Sequence, residues 1–133
     1  MNINYKDYIT LEELRKKGYN LKADGVLDIT HFDNVDDAVD DFLNTTSKIV
    51  YNLIKEYRGY KWTDAFFNDM KQTNLTGVAL EYQQALHNAL IEQAIFTYDN
   101  GDSQASANNE ERSYNTAYAP KAVSELWELL LCW

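Results

Sequence analysis

The sequence predicts an all-α domain, and three stretches carry that reading. In residues 35–58 the apolar positions Val35, Ala38, Val39, Phe42, Leu43, Ile49, Val50, Leu53, Ile54 and Tyr57 recur at helical spacing. At 100° per residue they fall in one broad sector. Residues 76–100 carry a second long helical pattern, and residues 119–133 a third, shorter one that opens on Ala119-Pro120. The expected architecture is a small helical bundle with two long helices, short flanking helices and an extended polar loop or hairpin. At 133 residues the chain is long enough for one domain with a modest core.

In chain order, Thr10-Leu-Glu-Glu13 fits a capping box, with Thr10 as cap and Glu13 reaching back. A short helix over 11–17 follows. Its basic last turn (Arg15, Lys16, Lys17) suits the macrodipole, and Gly18 stops it. Residues 19–32 read as a connector with a turn at Asp24-Gly25. Within it Val26, Leu27 and Ile29 are either a short strand or loop anchors. Asp33 or Asn34 caps the first long helix and Gly59 ends it. Tyr60-Lys-Trp62 reads as a lead-in to a short helix over 64–71, capped by Thr63 and carrying Phe66, Phe67 and Met70 on one side.

The second long helix has a narrow polar stripe of Glu81, Gln84, Asn88 and Glu92. One apolar face carries Val78, Tyr82, Ala85, Leu86, Ala89 and Phe96, and a separate flank carries Leu80, Ile91 and Tyr98. A helix apolar on two sides needs two covers. Either the chain supplies both, or Leu80, Ile91 and Tyr98 meet another subunit. Residues 103–118 read as a mobile polar loop. In the last element Ala122, Val123, Leu126, Trp127, Leu129, Leu130 and Trp133 fall on one face.

The formal charge of −9 argues against ordinary phosphate-backbone binding, which needs clustered Lys and Arg. It leaves a solvated acidic surface, a mimic of nucleic acid, or a surface that must not stick to DNA. A single cysteine, Cys132, excludes an internal disulfide. The first residues are too polar for a signal peptide, and no run suits a membrane span. The expectation is therefore synthesis in the cytoplasm.

Little in the chain suggests catalysis. Asp36/Asp40 and Asp37/Asp41 are i,i+4 pairs that resemble a metal clip, but acids are also favoured at a helix start by the dipole. Residues 28–41 lack the glycine and terminal glutamate of a calcium loop. His87 has no glutamate at zinc-ligand spacing, and Cys132 has no histidine nearby in sequence. The reading is no enzyme, no metal and no cofactor. The ten tyrosines and three tryptophans are the other conspicuous feature, since aromatics are enriched at interface cores.

The order of these pieces resembles the head–tail connector (adaptor, or head-completion) proteins of tailed bacteriophages. The residues that carry the resemblance are Tyr5 to Leu14, with a threonine before a short helix, and the acidic-start helix over 35–58. Gln84 to Gly101 is similar to the family's second long helix, and Tyr114 to Leu130, with Ala119-Pro-Lys-Ala122, to its ending.

The resemblance implies a ring, commonly of twelve copies, beneath the portal protein. Such a ring extends the DNA channel and offers a platform to the next head-completion or tail protein. The place implied is the head–tail junction of the virion. The C-terminal segment over 119–133, with Trp127, Leu130, Leu131 and Trp133, would dock on the portal. Acids facing the lumen would repel phosphate and let DNA pass without specific binding, although salt screens such repulsion over about 8–10 Å. Candidates are Asp36, Asp37, Asp40 and Asp41, or Glu81 and Glu92. The rival from another class is an acidic inhibitor that mimics DNA and binds a DNA-handling enzyme with steep salt dependence.

Overall fold

In a computed structural model of the chain, residues 1–100 and 117–131 are described. They form six α-helices: α1 (Leu11–Lys16), α2 (Val35–Arg58), α3 (Tyr60–Asp69), α4 (Gly77–Asp99), α5 (Pro120–Glu125) and α6 (Trp127–Leu131). A 3-10 turn at Tyr5–Asp7 precedes them, and no strand occurs among the described residues. The all-α class expected from the sequence is what is found. The proposed loop over 103–118 falls almost wholly outside the described residues, as do Cys132 and Trp133.

The long helix α2 has the bounds its apolar pattern predicts. Its 24 residues make a rod of about 36 Å. Asn34 caps it, accepting the Asp37 N–H at 2.9 Å. Gly59 ends it with φ +80° and ψ 161°, a backbone region that only glycine enters without strain. Ala38, Val39, Phe42, Leu43, Val50, Leu53 and Ile54 are buried as expected, whereas Tyr57 points out to solvent. Fully burying such a side chain stabilises the fold by roughly 1.5–3 kcal/mol.

Gly59 also opens α3. The helix starts directly at Tyr60, so the expected lead-in over 60–62 is already helical. Thr63 is not a cap: its hydroxyl donates back to the Gly59 carbonyl at 2.7 Å. The α2–α3 corner holds an aromatic cluster, with Phe67 edge-on to Tyr8, Tyr51 and Phe66 at centroid distances of 5.5, 5.4 and 5.9 Å.

Helix α4 sits between two covers. Its last turn meets the first third of α2, where Phe42 and Tyr98 pack edge-on at 6.0 Å, and α5 packs against it as well. Ile91 and Tyr98 are therefore buried by this chain itself, not left open for a neighbour, while Leu80 stays exposed. The central-helix alternative describes the lower part of α4. Its first turns project, leaving Val78, Leu80 and Glu81 in solvent.

The C-terminal segment is two short helices instead of one. The break falls at Leu126 (φ −97°, ψ 4°), a fully buried residue. Leu129 and Leu130 are buried, but Trp127, expected on the apolar face, is exposed.

Residues 1–32 form an arm laid along the bundle. The capping box at Thr10 and Glu13 forms as predicted. Val26, Leu27 and Ile29 make no strand; Leu27 anchors the loop in the core and Ile29 is exposed.

Candidate functional site

Three of the six acids predicted to line a channel are engaged with the arm or the C-terminal segment. Asp36 pairs with Lys22 at 2.8 Å. Asp40 pairs with Lys6 at 3.6 Å and accepts the Tyr5 hydroxyl at 2.8 Å. Glu92 pairs with Lys121 at 3.4 Å. Asp37 and Glu81 are exposed, and Asp41 is half-buried.

Tyrosine and carboxylate are coupled throughout the described residues. Tyr5 donates to Asp40, Tyr19 to Asp99 (2.8 Å), Tyr51 to Asp64 (2.5 Å), Tyr98 to Asp24 (3.1 Å) and Tyr118 to Glu56 (2.6 Å). These five tyrosines of the described residues thus each hold a carboxylate. This accounts for much of the joint excess of Tyr and acid, which the sequence offers as two unrelated features. Each phenol bonded to a charged acceptor makes a stronger bond than a neutral pair.

The same contacts raise phenol pKa values above their ordinary value of 10.0. Burial, then the acceptor carboxylate, pushes Tyr51 and Tyr118 up to about 12. Burial also pushes up Tyr5, Tyr8 and Tyr98, and the bond to Asp99 is the leading cause for Tyr19. A raised folded-state pKa means the unfolded chain loses these protons first. Stability is therefore intact below pH 10 and falls as pH rises through 12. In an alkaline titration, the late step of tyrosinate absorbance should coincide with loss of helical circular dichroism. Complete tyrosinate formation with the helices still intact would show that these phenols are not held.

A surface cleft of about 600 Å³ lies between the arm and α4, lined by Asp7, Tyr8, Met70, Gln83, Leu86 and His87 among others. Several of its polar groups are engaged within the fold. Tyr8 donates to the Phe67 carbonyl at 2.9 Å, and Gln83 Nε2 to the carbonyls of Met70 (2.8 Å) and Gln72 (2.7 Å). Lys71 pairs with Asp7 at 3.7 Å, and His87 Nε2 contacts Glu13. Burial pushes the Glu13 carboxyl up, but the Thr10 N–H, the His87 charge and the Thr10 hydroxyl outweigh it and hold the carboxyl below its ordinary value. His87 is thus a tie between α1 and α4.

Among the described residues, no group of three or more His, Cys, Asp or Glu converges as a metal site, and no helix is long and apolar enough to cross a membrane. What the surface offers is exposed apolar area. Val78 and Leu80 lie on the projecting turns of α4, Tyr57 and Tyr60 at the α2–α3 corner, and Trp127 and Leu131 on α6. Of the residues expected to dock on a portal, Trp127 and Leu131 face out, Leu130 is buried, and Trp133 lies outside the described residues.

Taken together, these features describe a small all-α bundle braced by polar ties, with several large apolar side chains exposed on a mainly charged and polar surface. No family model matches the chain, and neither a curated protein nor a solved structure matches it.

Proposed function

We propose that this chain is a structural assembly subunit without catalytic activity, of the head–tail connector kind found in tailed bacteriophages. In this reading copies of it form a ring beneath the portal at the head–tail junction of the virion. DNA passes through without specific binding, and the next head-completion or tail protein builds on the ring. The observation supporting this most directly is α6. Leu129 and Leu130 anchor it to the bundle, while Trp127 (57 % exposed) and Leu131 (52 % exposed), four residues apart, share its outer face. A tryptophan and a leucine presented together on an anchored helix suit burial in a partner's pocket. The acids engaged by tyrosine and lysine leave fewer to imitate a phosphate backbone, which favours this reading over a DNA mimic.

The test is electron microscopy of the protein mixed with portal rings, wild type beside a Trp127→Ser/Leu131→Ser variant. Extra density under the portal is expected for wild type and not for the variant, with helical circular dichroism unchanged. A wild type that never decorates portal rings would sink the reading.

A further inference from the structure

The corner between α2 and α3 has a composition that the fold alone does not explain. Within eight residues it carries Lys55, Arg58 and Lys61 together with Tyr57, Tyr60 and Trp62. Tyr57 is 58 % exposed and Tyr60 60 % exposed, although both are large and partly apolar. Lys55 and Arg58 suit the C-terminus of α2, where the macrodipole favours cations. Lys61 does not have that excuse. It lies in the first turn of α3, where the dipole favours an acid. Elsewhere Lys16, Lys17 and Lys48 hold no ion pair among the described residues, whereas Lys6, Arg15, Lys22, Lys71 and Lys121 each pair with a carboxylate of their own chain. Among the described residues neither Lys55 nor Lys61 does.

The corner is also stiff. Gly59 sets a sharp reversal, the Arg58 guanidinium lies 4.6 Å from the Trp62 ring centroid, and Trp62 stacks on Phe66 at 5.0 Å. A rigid patch of cations and half-exposed aromatics loses little side-chain entropy on binding. Its charge fits an acidic partner.

The chain carries such a partner at the other end of the same helix. Asp33 and Asp37, at the start of α2, are exposed and likewise hold no ion pair among the described residues. The two ends are about 36 Å apart, so they cannot meet within one subunit. They can meet between two. We infer that the basic, aromatic corner at Lys55–Trp62 receives the acidic start of α2 from a second copy of this chain. The inference rests on the assembly-subunit reading and specifies its subunit contact. Two different patches joined this way form a heterologous contact, which propagates from copy to copy and closes into a ring where the rotation allows. Tyr57 and Tyr60 supply apolar area at its centre, and the charges fix its register.

The experiment is a charge swap read by sedimentation velocity and native mass spectrometry. One variant carries Lys55→Glu/Lys61→Glu and the other Asp33→Lys/Asp37→Lys, both at exposed positions and both checked for helical circular dichroism. Each alone should self-associate about tenfold or more weakly than wild type, and mixing the two should restore association. A Tyr57→Ser/Tyr60→Ser variant, which leaves the charges in place, should weaken it too. Assemblies of the mixed variants larger than two copies uphold the contact and the ring. Assembly that stops at two copies upholds the contact and overturns the ring. Variants that associate as wild type does overturn the inference and leave the connector reading to the portal experiment, as does a wild type that stays monomeric at every concentration. A wild type whose corner instead retains a single-stranded oligonucleotide, lost in Lys55→Glu/Lys61→Glu, also overturns it.

Discussion

Phe67→Ala should destabilise the domain by about 3–5 kcal/mol, the range for truncating a buried phenylalanine. The ring is fully buried and meets three other aromatics edge-on, one from the arm, one from α2 and one from α3. Removing it opens a cavity at the point where those three elements converge. Edge-on aromatic contacts add about 0.5–1.5 kcal/mol each beyond area, so the upper part of the range is expected. Against a typical domain stability of about 5–15 kcal/mol this is a large fraction. Urea denaturation should show a lower midpoint with an unchanged slope. A loss under about 1 kcal/mol would mean that this corner packs loosely and that the arm is held by its polar ties alone.

Gln93→Leu should release the C-terminal segment. Gln93 is buried on α4 and uses both ends of its amide. Its Nε2 donates to the Thr97 hydroxyl and the Ala117 carbonyl, both at 3.1 Å, and its Oε1 accepts the Ala119 N–H at 2.8 Å. Leucine fills a similar space but leaves the buried Ala119 N–H without an acceptor. An orphaned buried group costs about 1–3 kcal/mol. Hydrogen exchange in α5 and α6 should quicken roughly tenfold to a hundredfold while α2 keeps its protection. Unchanged exchange in α5 would show that Leu126 and Leu129 hold the segment without the clamp. In the connector reading, the same variant should also weaken portal docking, because α6 would no longer be presented at a fixed angle.

The parts legible in the sequence are those governed by local chemistry. The limits of α2 follow from a one-sided apolar pattern between Asn34 and Gly59, and the Thr10–Glu13 box acts within four residues. Where a residue's role depends on a distant partner, the pattern misleads. Thr63 looks like a cap, but the positive φ of Gly59 already starts α3, so the hydroxyl turns back to the Gly59 carbonyl instead. Trp127 lies at the rim of the apolar face, about 60° beyond Leu130 at 100° per residue, and periodicity cannot say how far the cover extends. Ile91 and Tyr98 mark a second apolar side of α4 correctly, but no periodicity can say that α2 and α5 would cover it.

The site residues show the same division. Gln93 gives no signal of its role, because a glutamine in a helix reads as surface, and its partners at 117 and 119 lie about two dozen residues on. The acids of α2 are visible as acids, yet their use by Tyr5, Lys6 and Lys22 depends on where the arm lies. The usable signal was composition: an excess of tyrosine beside an excess of carboxylate suggests that one serves the other.

The ties of the arm also set an order of events during synthesis. Tyr19 reaches Asp99 across 80 residues, and both Glu13–His87 and Asp24–Tyr98 span 74. Residues 1–32 leave the ribosome well before their acceptors and donors on α4, which begins at Gly77. Closing so long a loop is entropically unfavourable until many contacts reward it. Until α4 emerges, the nascent chain therefore carries Leu14, Tyr19 and Leu21 without the Ala94, Ile95 and Tyr98 side chains beside them. For that interval an early-made segment waits on a later one, with apolar side chains that a chaperone would shelter.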